Sequence, residues 1–235
     1  MDRVLEVLWE IKRKPKSYLP ESSLRDLQHF LSAYYTRVLG EGVASEISSI
    51  FKGFELWLGD RFEILVQSRS VYDIVESYSD GPEEALINFF ELFEQFRLGE
   101  GVTEAVHSPT ASRAYTDRRK MDLFEILKRI RETPELYIGY PHLAGVNSYL
   151  NGYERAGRDL ELPQTQDEKL FSDFKRWVEK DRFPRGRARP WFKLIRFHSA
   201  HDCGLTPGSA YSVFFKLLDE FVMTNTHGHS LGVPS

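Results

Sequence analysis

The chain has 235 residues, 41% hydrophobic and 14% aromatic, with a formal net charge of −4 and one cysteine. That apolar mass excludes a mostly disordered chain, because its burial can offset ordering entropy, and a lone Cys203 excludes a disulfide framework and a multi-thiolate zinc site. No apolar run reaches the ~20 residues that span a bilayer, and Met1-Asp2-Arg3-Val4-Leu5-Glu6 puts an acid where a signal peptide has its apolar core, so a soluble cytoplasmic protein with no membrane partner is expected.

The first predicted helix carries Val4, Leu5, Leu8 and Ile11 at helical spacing. Pro15 ends it, since proline lacks the N–H and disfavours helix in the residue before it. The second carries Leu24, Leu27, Phe30, Leu31 and Tyr34, with Ser22 or Ser23 as its cap. The third carries Ile47, Ile50, Phe51, Phe54 and Trp57. Phe62 to Val66 is a short apolar run that periodicity cannot assign; it reads as a loop or a helix start. A short fourth helix covers roughly Val71 to Tyr78. The fifth is the most apolar: Ala85, Leu86, Phe89, Phe90, Leu92, Phe93 and Phe96. Gly40-Glu41-Gly42 and Gly99-Glu100-Gly101 read as helix C-caps.

The series then returns. Leu8, Ile11, Pro15, Tyr18, Leu24, Leu31 and Tyr34 recur 119 residues later as Leu127, Ile130, Pro134, Tyr137, Leu143, Leu150 and Tyr153. Phe54 and Trp57 recur as Phe174 and Trp177, and Asp60-Arg61-Phe62 as Asp181-Arg182-Phe183. Ala85, Phe89, Phe90, Leu92 and Phe96 recur as Ala210, Phe214, Phe215, Leu217 and Phe221. A register kept over so many positions reads as an internal duplication. The expected organisation is an all-α fold: helical repeat 1 over 1–100, a polar linker over 101–120, helical repeat 2 over 121–223, and a flexible tail over 224–235. The fifth helices are apolar on more than one side. They are expected to pack together about a pseudo-two-fold axis, as the two copies of a homodimer would.

Candidates for chemistry are few. His198, His201, Asp202 and Cys203 form the densest ligand-like cluster, and His, Asp and thiolate can hold zinc or copper. Their spacing matches no common zinc signature, so a polar turn is the expected reading. Between Lys180 and Trp191 lies a basic run with flanking rings. Its Arg182, Arg185, Arg187 and Arg189 could hold phosphates and single-stranded bases. The net charge and a pI of about 6.0 weigh against a nucleic-acid partner for the chain as a whole. Acids such as Glu83, Glu84, Glu91 and Glu94 are plentiful, but no pair is singled out for acid–base work. Trp57 and Trp177 fill the same slot in each copy and read as core. Glycine-rich phosphate loops, Gly-x-Ser-x-Gly and His-Glu-x-x-His are absent, so no catalytic residue and no cofactor are expected. Charge is uneven: residues 1–100 hold 11 Lys and Arg against 18 Asp and Glu, and residues 101–235 hold 20 against 17.

Pro134-Glu135-Leu136-Tyr137-Ile138-Gly139 is followed by Leu143, Tyr149-Leu150-Asn151-Gly152-Tyr153, Phe174 to Trp177, and Ala210 to Leu218. This series resembles small bacterial helical proteins with an Arg-Pro-x-x-Tyr-Leu/Ile-Gly, Gly-Tyr, Phe-x-x-Trp and Ala-x-x-x-Phe-Phe-x-Leu-Leu pattern. Thr133 stands where that pattern has Arg, and the first copy has Pro20 for its Gly. The resemblance covers roughly 200 residues as a tandem version. It implies an immunity-type protein, of the kind encoded beside polymorphic toxins, and transfers no functional residue. The type II topoisomerase ATPase domain carries a similar Tyr-Ile-Gly string, but its glycine-rich lids are missing here. The expected function is non-catalytic protein binding that neutralises a bacterial toxin domain with a basic surface. The alternatives are a nucleic-acid-associated protein using the Arg-rich loop 182–189, and an enzyme without a recognisable motif around His198, His201 and Cys203. The pattern leaves the oligomeric state open.

Overall fold

The computed structural model describes residues 3–42, 47–63, 70–100, 121–184, 189–203 and 207–227. Among them are eleven α-helices and no strand. In chain order they are α1 (Arg3–Arg13), α2 (Leu24–Gly40), α3 (Ile47–Phe62), α4 (Val71–Ser77) and α5 (Pro82–Gln95), then α6 (Leu123–Glu132), α7 (Pro134–Ile138), α8 (Leu143–Asp159), α9 (Gln166–Trp177), α10 (Trp191–Cys203) and α11 (Pro207–His227). A 3-10 turn covers Pro15–Ser17, and wider π-type turns extend α5 over Phe96–Glu100 and α9 over Val178–Arg182. Two compact units result. The first is Met1–Lys120 with Ser148–Leu162, and the second is Met121–Asn147 with Pro163–Ser235. The division falls inside α8.

In the first unit, α1 buries Val4, Leu5, Val7, Leu8 and Ile11. Ser23 caps α2, its hydroxyl accepting the Asp26 N–H at 3.1 Å. Ser22 instead takes a positive φ of 52°. Past the other end of α2, Gly42 has φ 72°, the left-handed conformation in which glycine ends a helix at no steric cost. Helix α5 opens on Pro82, whose missing N–H would have been unpaired in the first turn anyway. Its Ala85, Leu86, Phe89, Phe90 and Phe93 are buried. Phe54 of α3 sits among them, with ring centres 5.7 Å from Phe89, 5.1 Å from Phe93 and 5.5 Å from Phe96. Each such ring contributes roughly 2 kcal/mol by its burial. The several apolar sides of α5 are thus covered inside their own unit by α2, α3 and α4. At Gly152, a Cβ would lie 2.0 Å from the Phe30 carbonyl oxygen, so only glycine lets α8 approach α2 this closely.

In the second unit, α6 buries Leu123, Ile126, Leu127 and Ile130. Pro134 does not simply interrupt the chain: it opens the five-residue α7, which ends at Gly139 with φ 74°. It also leaves the Ile130 carbonyl without the N–H four residues on. Tyr211 of α11 supplies the missing donor, its hydroxyl 2.7 Å from that oxygen. Phe174 sits among Trp191, Phe214 and Phe221, at 6.3, 5.9 and 5.7 Å between ring centres.

The two series share more than spacing. Helices α2 and α8 start and end at the same offset of 119, and α5 and α11 both open on a proline. Trp57 meets Phe96, and Trp177 meets Phe221. The ion pair Lys12–Glu94 has its counterpart in Arg131–Asp219. One local expectation changes. Helix α10 runs through Cys203, so His198 to Cys203 is helix and not a turn. Phe62 closes α3 and Glu63 comes next in a turn; Ile64, Leu65 and Val66 lie outside the described residues.

Candidate functional site

Three groupings of polar side chains compete as a site. The first lies in the first unit, where α1, α2 and α8 meet. Arg155 donates to Glu10 at 2.6 Å, to the Tyr18 hydroxyl at 3.1 Å and to Asp159 at 2.8 Å. Tyr18 donates to Glu10 at 2.5 Å, and Tyr34 donates to Asp159 at 2.9 Å. Beside this network Arg37 donates to the Tyr153 hydroxyl and lies 4.3 Å from that ring's centre. Buried Asp26 accepts from Ser148 and from the Glu21 N–H, both at 2.7 Å. Hydrogen bonds from Arg155 and Tyr18 hold the Glu10 carboxyl down at about 2. The bond to Glu10, with burial, pushes Tyr18 up. Burial works against the charge of Arg155, but the bonds to Glu10 and Asp159 outweigh it and raise its pKa. Glu10, Tyr18 and Arg155 are thereby tied to one another by hydrogen bonds, the arrangement of a structural clamp.

Arg3, Glu6, Arg155, Arg158, Asp159 and Glu161 line a cavity of about 210 Å³ on the edge of this network. Charges of both signs line it and no apolar side chain does, whereas ligand pockets are mostly apolar with a few aimed polar groups.

The second grouping is the sequence cluster on α10. His198 stacks on Phe183, with ring centres 3.9 Å apart. The side chains of His201 and Cys203 lie outside the described residues, as do Arg185 and Arg187. Of the arginines read from sequence, Arg182 and Arg189 are described, and both are exposed. Among the described residues no group of three or more His, Cys, Asp and Glu is placed to hold a metal ion. Trp57 and Trp177 are half-buried, and each closes over the ring cluster of its own unit.

The third grouping is the outward side of α5. Glu83, Glu84, Ile87, Glu91 and Leu98 are exposed along it, Ile87 to 57% and Leu98 to 87%. Across residues 51–100 the chain has 4 Lys and Arg against 11 Asp and Glu. The acids Asp73 and Glu76 of α4 are tied to Arg25, at 3.0 and 2.6 Å. On α5, Glu83, Glu84 and Glu91 are exposed, while Glu94 is paired with Lys12. Burial raises the Asp73 carboxyl, but Ser70 and Arg25 more than reverse it and hold it below its usual value.

Sequence reasoning missed the Arg155 clamp, because its partners stand far away in the chain. One signal was there: Glu10 and Tyr18 fall at the offset of 119 on Arg129 and Tyr137, a second bonded pair. Among the described residues no helix is long and apolar enough to cross a membrane. Compared with known proteins, the chain matches no family model, no curated protein and no solved structure.

Proposed function

We propose that the chain is a non-catalytic protein-binding module of the immunity type, acting in the cytoplasm, and that it neutralises a bacterial toxin domain by covering a basic surface. The observation that carries this is the outward side of α5, where two exposed apolar side chains, Ile87 and Leu98, stand among Glu83, Glu84 and Glu91. Apolar anchors inside a polar rim are what protein interfaces use, and a rim in which Glu83, Glu84 and Glu91 outnumber the exposed Arg97 steers a basic partner. The fold does not require this chemistry. At the matching positions of α11, Ser212 and Lys216 replace Ile87 and Glu91.

The arrangement as two homologous five-helix repeats about a pseudo-two-fold axis belongs to the same proposal. Its support is the recurrence of helix bounds, ring contacts and ion pairs between the copies. Within the first unit, moreover, α2 packs on residues 148–159 of α8, the 119-offset equivalents of its own 29–40.

The test is co-expression with the product of the adjacent upstream gene. Wild-type chain should form a complex and restore growth. The charge reversal E83K/E84K/E91K should abolish both while the chain keeps its helical circular-dichroism spectrum, with a melt lowered by loss of the Asp80 N–H bond to Glu84 and of the first-turn acids of α5. Absence of both complex and rescue with the wild-type chain sinks the reading. Rescue that survives the triple reversal moves the contact away from α5.

A further inference from the structure

A second surface, in the second unit, has the opposite chemistry. Lys193, Arg196 and Phe197 are outward positions of α10, and Arg189 stands just before it. Phe197 is 47% exposed. The Arg189 guanidinium lies 5.3 Å from its ring centre, and the Lys193 ammonium lies 5.9 Å from that of Phe192. Phe197 meets His198 edge-on at 5.6 Å, and His198 stacks on Phe183 at 3.9 Å with an 11° angle between planes. Arg182 lies 5.8 Å from the Phe183 ring centre. A row of three rings therefore runs between cations.

The fold does not demand this either. Trp191 aligned on Val71 brings buried Leu194 and Ile195 onto buried Ile74 and Val75. Lys193 and Arg196 then fall on Asp73 and Glu76, and Phe197 falls on Ser77. In the first copy those acids are held by Arg25, whose own counterpart is Ala144. One face has thus reversed its charge and gained an exposed ring.

The described residues within 180–196 hold five Lys and Arg (Lys180, Arg182, Arg189, Lys193 and Arg196) against one Asp. Neighbouring Glu179 is turned to the Trp191 N–H, at 3.0 Å. Exposed charges are screened beyond ~8–10 Å, so this local excess governs what docks here, whatever the chain's net charge. Cations can neutralise phosphates, and exposed ring faces can stack on bases. A duplex hides its base faces, so the rings can serve only an unpaired strand.

We infer that the α10 face, through Arg182, Arg189, Lys193 and Arg196 with Phe197 and the Phe183–His198 stack, binds single-stranded nucleic acid without sequence preference. The proposal stands independently of the α5 reading, because different residues carry it.

The experiment is fluorescence anisotropy of the full chain with short fluorescein-labelled oligothymidine and oligouridine, and with a duplex of equal length. Binding at low salt should weaken as salt rises, by about 0.7 in the log–log slope per phosphate contact. Lys193→Asp with Arg196→Glu should reduce that slope by about two such contacts. Phe197→Ser should weaken binding roughly tenfold at constant slope, the stacking loss without a charge loss. Circular-dichroism spectra of both variants should keep the wild-type helix content, since Lys193 and Arg196 are exposed and Phe197 is 47% exposed. No salt-dependent binding, or a duplex bound as tightly as the single strands, overturns the proposal. So does wild-type affinity in both variants. Displacement of the oligonucleotide by polyglutamate with no dependence on Phe197 overturns it in favour of an acidic protein partner.

Discussion

At Gly152 a single hydrogen atom decides a helix–helix contact. A methyl group there would meet the Phe30 carbonyl at 2.0 Å, and backbone cannot turn aside as a side chain can. Gly152→Ala should cost about 3 kcal/mol, at the upper end of overpacking effects, read as a fall in the urea midpoint. Gly157, five residues on in the same helix, is the internal control. A Cβ there would meet the Arg37 guanidinium no closer than 4.0 Å, so Gly157→Ala should be neutral or stabilise by up to ~1 kcal/mol through helix propensity. Glu10 gives a pH signature. Its carboxyl is held at about 2, down from 4.5. A depressed folded value adds stability above the unfolded value, and that contribution is lost as pH falls from about 4.5 to about 2. Glu10→Gln should therefore flatten the acid limb of stability in that window and lower stability at neutral pH. The side chain is 36% exposed, so solvent screening keeps the effect modest.

Each helix is built largely from signals that lie within it. Thr165 caps α9 by accepting the Glu168 N–H at 3.2 Å, and Glu168 in turn accepts the Thr165 N–H at 2.7 Å. Thr165→Ala should cost ~1 kcal/mol, measured as a lower melting midpoint. The same reciprocal pattern at Ser70 and Asp73 starts α4, where Asp73 also anchors Arg25. The 3.6-residue spacing of buried positions made most helices legible before any packing was known, whereas the caps at Ser70 and Thr165 and the prolines that open α5 and α11, equally local, were not assigned from sequence. Helix ends were less legible. The turn expected at His198 to Cys203 is the end of α10, because no residue from Trp191 to Cys203 interrupts a helix. Pro134 was legible as a break but not as the start of α7. Both roles use the same missing N–H, and the residues C-terminal to the proline decide between them.

At the scale of the molecule, one helix serves two compact units. Residues 148–162 complete the first unit, covering the α2 side that carries Asp26, Phe30, Tyr34 and Arg37. A fragment of residues 1–100 should therefore not behave as a cooperatively folding monomer. It should self-associate through the uncovered side or melt without a sharp transition, as sedimentation and a thermal scan would show. A monomeric fragment with a sharp melt contradicts this. Taken alone, the amino-acid order determined that the chain is helical, where most helices lie, and which aromatic positions recur, because periodicity and capping act over a few neighbouring residues. Only the tertiary structure decided that Arg155 closes on Glu10, 145 residues away, that Gly152 rests on Phe30, and that α5 and α10 turn faces of opposite charge to solvent. Those outcomes depend on which helix sides approach one another, and burying one side of a helix is what leaves another exposed.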